Sequence, residues 1–357
     1  MSIKQRNVSC AFAASVCALS CSTSSAGPSG SGPSGTVATG VDAGADSATV
    51  ETDAGGGPSL TPGQQDAGGP SIGWLSVVGG QGLFAQTFDG ELWSAATVSS
   101  VTLQSISCVG TTVGWAAGRG GWIGHTADSG SSWIAESSQT VVDLHAIRFA
   151  STSYGIVAGD AGALGVTTDG GKTWSQKASG TAVPLRGVAL GYDLAVVVGD
   201  EATVLRSLDG GQTWQPSVLA GAADLRSVAM DDTGGLILAT DARGTIWASH
   251  DRAQTFEVEL SGSGDELSSV SVARDATIGL AVGTAGRAFV RASRGSWQTV
   301  TTGVTVDLHA ALVAENGTHL LTAGDEGVLL DSPDRAVHWE RRPLGTAADL
   351  YGLDQAW

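Results

Sequence analysis

The chain has 357 residues, with 35 Asp or Glu against 18 Lys or Arg, a net charge of −17. That balance repels phosphate backbones, so nucleic acid is excluded as a partner, and basic or cationic partners fit better. With 52 Gly, 11 Trp and only 2 Met, the composition favours strands and turns over helices.

Residues 1–20 read as a signal peptide. Lys4 and Arg6 precede "VSCAFAASVCALS", an apolar run too short to span a bilayer. "ALSC", Ala18 to Cys21, resembles a bacterial lipoprotein signal. That resemblance implies lipidation at Cys21 and, with Ser22 next, an outer-membrane location, the lipid being the only membrane attachment. Cys17 departs from the lipoprotein pattern, and an ordinary secretory signal is the alternative. Cleavage before Cys21 leaves 16 basic against 35 acidic residues, a net −19. Residues 21–72 are rich in Gly, Ser, Pro, Ala and Asp. They cannot bury enough apolar surface to offset their ordering entropy and read as a disordered tether. Its typical end-to-end distance is about 40 Å. Cys10, Cys17 and Cys21 crowd the N-terminus, so no disulfide framework is suggested. Cys108 reads as a small buried hydrophobe.

From residue 73 to 357 the chain repeats. An aromatic closes each unit at Trp133, Trp174, Trp214, Phe256, Trp297 and Trp339, in steps of 40 to 42 residues. A short opening recurs as "TLQSI" at Thr102, "DLHAI" at Asp143, "PLRGV" at Pro184, "DLRSV" at Asp224, "ELSSV" at Glu266, "DLHAA" at Asp307 and "DLYGL" at Asp349. A period near 41 with several short strands per unit predicts an all-β fold, a β-propeller. The first unit lacks an opening, and the last opening has no room to continue. The two fragments complete each other. The expectation is seven blades, with the C-terminal strand, 349–357, joining the blade begun at 73–95.

The turn before each closing aromatic carries a second pattern. Two copies are full: Thr167, Asp169, Gly171, Thr173, Trp174, and Ser207, Asp209, Gly211, Thr213, Trp214. Thr126, Asp128, Gly130, Ser132, Trp133 is nearly so. Ser249 with Asp251, and Ser332 with Asp334 and Trp339, lack the central Gly. The copy ending at Trp297 lacks the Asp, and the one at Thr87, Asp89 and Trp93 is one residue short. A tight hairpin needs the positive φ that Gly supplies. An Asp carboxylate or Ser/Thr hydroxyl can accept backbone N–H bonds across the turn. Burying the Trp covers ~150–250 Å², roughly 4–6 kcal/mol gross. The repeated acid is therefore expected to fasten turns, not to bind metal or catalyse.

Ser/Thr-x-Asp-x-Gly-x-Thr-Trp resembles the Asp-box, or BNR, repeat of sialidases, sortilin-type receptors, some glucanases and the photosystem II stability/assembly-factor family. The preceding GxxG turn with "TTDGGKTW" looks most like the assembly-factor kind. The resemblance covers about 285 residues, 73–357, and implies a protein-binding or assembly scaffold without enzymatic activity.

Opening loops and the turns between strands two and three should share one end of the channel. That end stacks Asp143, Asp160, Asp200, Asp224, Asp241, Glu266, Asp307, Asp325 and Asp349. Such a ring focuses field over the channel mouth. It is the candidate face for a basic segment of a partner, with calcium as a weaker option; otherwise each Asp caps its own turn. Gln104, His145, Arg186, Arg226, Ser268, His309 and Tyr351 start strand one beside these acids. His145 and His309 are not adjacent, so contacts with ring acids are expected and no metal site. A sialidase would need an arginine cluster and a tyrosine nucleophile. The tyrosines are Tyr154, Tyr192 and Tyr351, and the arginine-bearing motif that opens sialidase domains is absent. The expectation is a monomeric, exported scaffold of the bacterial envelope with no catalytic residue or resident cofactor. The alternative is a glycan-binding or glycoside-hydrolysing surface propeller.

Overall fold

A computed structural model describes residues 74–356, apart from residues 263, 293–296 and 316. The expected signal peptide (1–20), tether (21–72) and lipidation site Cys21 lie outside the described residues, as does most of the turn before Trp297.

The described residues form seven four-stranded antiparallel sheets arranged as propeller blades. Blade 1 starts at Leu75; blades 2 to 7 cover 103–137, 144–176, 185–218, 225–260, 267–301 and 308–341. Within a blade the strands follow sequence order from the inside out, except in blade 1. There the innermost strand is the C-terminal one, Leu350–Gln355, antiparallel to Leu75–Gly79. The expected closure is present, and the inner strands neighbour one another around the whole ring.

The sequence character of each strand matches its depth. Second strands are continuous apolar runs such as "AVVVG", Ala195–Gly199, and are buried throughout. Neighbouring blades cover both their faces, so strict alternation is not required. Fourth strands are short and polar, as in "QPSV", Gln215–Val218, and exposed. In blade 3 the fourth strand shrinks to Ser175–Gln176, starting after Trp174. The core is divided into seven clusters, each shared by two adjacent blades. The closing aromatics sit in these seams. Trp214, for example, packs against the cluster that blades 3 and 4 share.

Two local devices shape the inner ring. First, every opening contains a β-bulge. In blade 3, Leu144 pairs with Gly159 and Ala146 with Ala158, so His145 is skipped. The corresponding skipped residues are Gln104, Arg186, Arg226, Ser268, His309 and Tyr351. A bulge re-aims the extra side chain, and here it supplies one side chain per blade to the channel mouth. Gly159 allows the bulge, because a Cβ there would run into the Asp143 carbonyl.

Second, the fourth opening residue is always small: Ser105, Ala146, Gly187, Ser227, Ser269, Ala310 or Gly352. The inner strands approach closely, and a Cβ on Gly187 would lie 3.0 Å from the Val228 nitrogen. Where the residue is Ser, its hydroxyl serves the next blade. Ser105 accepts from Ile147 N at 3.2 Å, Ser227 from Val270 N at 3.2 Å and Ser269 from Ala311 N at 3.1 Å. Two residues on, Ser107 and Ser271 accept from Phe149 N and Val313 N, each at 3.0 Å. Asp354 does the same for Cys108 N at 2.7 Å. Side chains thus occupy amides on the inward edges, which would otherwise be open to pairing. Cys108 is fully buried, and burial pushes its thiol well above the usual range.

Candidate binding face at the channel mouth

The predicted acids gather at one end of the channel, where they play three roles. Asp143, Asp224, Asp307 and Asp349 each reach across a blade boundary. Their Oδ1 atoms accept from Gly120 N (2.8 Å), Glu201 N (3.0 Å), Ala285 N (2.8 Å) and Glu326 N (3.1 Å). Each caps the turn of the preceding blade, not its own. That turn places two successive residues at positive φ, as in Ala285 (55°) and Gly286 (69°), and so leaves an amide pointing outward for the neighbour's carboxylate. Among the described residues, these four acids make no ion pair.

Asp160, Asp200, Asp325 and Glu266 instead meet the bulge side chains. His145 Nε2 lies 2.7 Å from Asp160, and His309 Nε2 lies 2.6 Å from Asp325. Arg186 grips Asp200 through Nε (3.1 Å) and Nη2 (2.9 Å). Arg226 bridges Asp200 (3.3 Å) and Glu266 (3.0 Å). The hydrogen bond to Asp200 raises the Arg186 pKa further. The expected His–acid contacts are present. Asp241 is the exception to the ring. It is 1% exposed and accepts from Arg243 N, Thr245 N and Trp247 Nε1, so it is a buried turn cap and not a surface acid.

The mouth is therefore divided. The arc over blades 3 to 5 carries Arg186, Arg226 and His145 among its acids. The arc from blade 7 into blade 1 carries Asp307, Asp325, Glu326 and Asp349 around His309 and Tyr351. There the Tyr351 hydroxyl donates to Asp349 at 3.4 Å.

The Asp-boxes occupy the opposite end and are closed hydrogen-bonded loops. In the 167–174 copy, Gly171 N donates to Thr167 Oγ1 at 2.9 Å. The Thr167 hydroxyl donates to Asp169, and Thr173 gives Asp169 both its N–H (2.9 Å) and its hydroxyl (2.6 Å). Thr126, Asp128, Gly130 and Ser132 repeat this, as do Ser207, Asp209, Gly211 and Thr213. The copies without Gly are equally closed. Ala253 N donates to Ser249 Oγ at 2.9 Å and Ala336 N to Ser332 Oγ at 2.8 Å, with φ of 60° and 68°. Asp251 takes the Thr255 hydroxyl, and Asp334 sits 2.6 Å from His338 Nδ1. These donors hold Asp209, Asp251 and Asp334 down at about 2. The tryptophans are set into the seams: Trp133 meets Phe84 edge-on at 5.1 Å, and Trp174 meets Phe149 at 5.9 Å. Trp214 Nε1 donates to Gly211 O, and Trp339 joins the seam between blades 6 and 7.

Sequence reasoning missed one buried ion pair between blades 5 and 6. In blade 6, Arg291 is 2% exposed and binds Glu259 of blade 5 through two nitrogens at 2.9 and 3.0 Å. Trp297 Nε1 donates to the same carboxylate. The signal was an Arg in a buried third strand; its partner, 32 residues away, belongs to another blade.

Burial pushes Tyr154 up to about 12, and burial with the nearby Asp349 and Asp325 charges raises Tyr351. Tyr192 is fully exposed. Among the described residues, no group of three or more His, Cys, Asp or Glu is placed to hold a metal ion.

Residues 136–298, which span blades 3 to 5 and most of blade 6, match the family described as Photosynthesis system II assembly factor YCF48. Among solved structures the chain is similar to YCF48 bound to D1 peptide. The identity is 20% and the TM-score 0.55, over 67% of this chain and 80% of that one. It is also similar to YCF48 from Cyanidioschyzon merolae, at 18% identity and TM-score 0.56, over 69% of this chain and 86% of that one. No curated protein matches the chain. The chain is an Asp-box propeller of seven blades that resembles the photosystem II assembly-factor family.

Proposed function

We propose that this chain is a non-enzymatic, protein-binding scaffold of the bacterial cell envelope, whose acidic channel mouth receives a basic segment of a partner protein. The observation that carries this is the arc of Asp307, Asp349 and their blade neighbours. Backbone amides hold these carboxylates in place without neutralising them. Fixed, half-buried acids around a low-dielectric channel concentrate negative potential outward. The similarity to YCF48 bound to D1 peptide supports a protein as the ligand class. The lipoprotein-like start and the length of residues 21–72 support an exported protein held at Cys21, standing clear of an outer-membrane surface.

The test is a charge-only change. Asn at positions 307 and 349 retains an oxygen to accept the Ala285 and Glu326 amides and removes the charge. Partner capture should weaken, and its dependence on salt should flatten. Capture by the double variant with unchanged affinity and salt dependence would rule out the mouth as the binding face.

A further inference from the structure

We propose that the polar cavity at the Asp-box end of the channel is a binding site for a small zwitterion, a free α-amino acid with a short side chain. This goes beyond the acidic-mouth reading and stands on different residues.

The first observation is the cavity. Where the inner strands end, they enclose about 180 Å³, half open to solvent and with more polar than apolar surface. Cavities of about 150 Å³ hold benzene. Alanine has as many non-hydrogen atoms as benzene, so one small amino acid fits by size. The charged residues in the lining are Arg148, Asp232, Arg274, Glu315 and Asp354.

The second is an imbalance of charge. Asp354 is already engaged, accepting from Cys108 N at 2.7 Å and from Arg148 Nη1 at 2.6 Å. Asp232 and Glu315 share a single guanidinium group. Arg274 Nη1 lies 3.8 Å from Asp232 and 3.7 Å from Glu315, beyond hydrogen-bond length. Among the described residues, neither carboxylate accepts a hydrogen bond, and their side chains are 61% and 53% exposed. Three carboxylates thus face two guanidinium groups. An ammonium group offsets the excess and supplies the missing donors.

The third is an unused pair of donors. Arg148 meets Asp354 through Nη1, and among the described residues nothing accepts from its Nε or Nη2. A guanidinium fork of this kind matches a carboxylate. Arg148 belongs to the inner strand of blade 3, and Glu315 follows that of blade 7. In a ring of seven blades these stand across the channel from each other. A ligand with one charge satisfies one side. A zwitterion satisfies both, its carboxylate on Arg148 and its ammonium on Asp232 and Glu315.

The protein reports on the cavity itself. Met230 lines it, and the only other methionine is Met1. Full-length protein labelled with 13C-methyl methionine is titrated with L-alanine, isobutyrate or isopropylamine. The last two replace the ammonium or the carboxylate of alanine by a methyl group. Alanine should shift the Met230 methyl signal to saturation in the millimolar range. The other two should bind at least about tenfold more weakly, as expected for a lost charge-assisted hydrogen bond. Combining Asp232→Asn with Glu315→Gln should weaken alanine about fivefold, as expected for two exposed ion pairs, and should not weaken isobutyrate. Arg148→Gln should weaken alanine and isobutyrate but not isopropylamine. A cooperative urea transition checks that each variant is folded, and alanine should raise its midpoint in the parent chain, because a ligand of the folded state stabilises it. A Met230 signal unmoved by alanine, or moved equally by all three compounds, would overturn the proposal. So would unchanged alanine affinity in the Asp232→Asn, Glu315→Gln variant.

Discussion

Removing residues 349–357 deletes the inner strand of blade 1 and reopens the ring. The strand buries Leu350 completely and Leu353 to 6% exposure. Two such side chains are worth about 1.5–3 kcal/mol each. The ladder to Leu75–Gly79 spans five paired positions, each net hydrogen bond adding about 0.5–1.5 kcal/mol. Asp354 also leaves, orphaning the buried Cys108 amide and releasing Arg148. Together these come to about 6–13 kcal/mol, comparable with the about 5–15 kcal/mol that holds a typical domain folded. Tryptophan fluorescence through a urea titration, with gel filtration beside it, gives the assay. The truncated chain should lack a native-like cooperative transition and elute as an expanded or associated species. An unchanged midpoint with compact elution would refute the closure argument.

Thr167→Val removes the acceptor for the buried Gly171 amide and should cost about 1–3 kcal/mol, the penalty of an orphaned buried donor, read from the shift in urea midpoint. Gly187→Leu drives a side chain against the Val228 backbone of the next blade and should cost about 1–3 kcal/mol or more by overpacking, measured in the same way. The Asp-box acids predict the acid limb of stability. Asp209, Asp251 and Asp334 lie near 2 in the folded chain against an ordinary 3.8. Their contribution is complete above the unfolded value and disappears as pH falls through the folded one. Thermal melts should therefore lose stability between about pH 4 and 2, and Asp209→Asn should lower the plateau and shallow that fall. An acid limb unchanged in the variant would count against it.

The blade count and the closure were legible because each depends on periodicity along the chain. An opening every 41 residues or so and one half-unit at each end admit few other solutions. The Asp-box turns were legible because every partner lies within four residues. Contacts across blades were harder to read. Ser105, Ser227 and Ser269 look like ordinary residues of an opening, and their role needs the neighbouring inner strand about 42 residues away. The same distance hid Arg291 and Glu259. Ala253 and Ala336 looked like decay of the motif, yet both adopt the positive φ, and the seryl hydroxyl still receives the amide. Tertiary support evidently offsets the strain of an Ala there. At the mouth, the His–acid contacts were legible in the sequence, but the caps that Asp143, Asp224, Asp307 and Asp349 place on the preceding blade were not. Asp241 looked equivalent to Asp200, but it takes the place of the strand-end Gly and is drawn inward under Trp247.

The central claim is that the acidic mouth binds a protein. Its most direct test is site-specific photo-crosslinking from position 326, beside Asp349 on the exposed mouth, in tagged full-length protein produced in its host cells. The account predicts one stoichiometric protein crosslinked through a Lys- or Arg-rich segment, lost at high salt and in the Asp307→Asn, Asp349→Asn variant. Recovery without any protein, together with turnover of fluorogenic glycosides, would contradict it and favour a glycan-directed propeller.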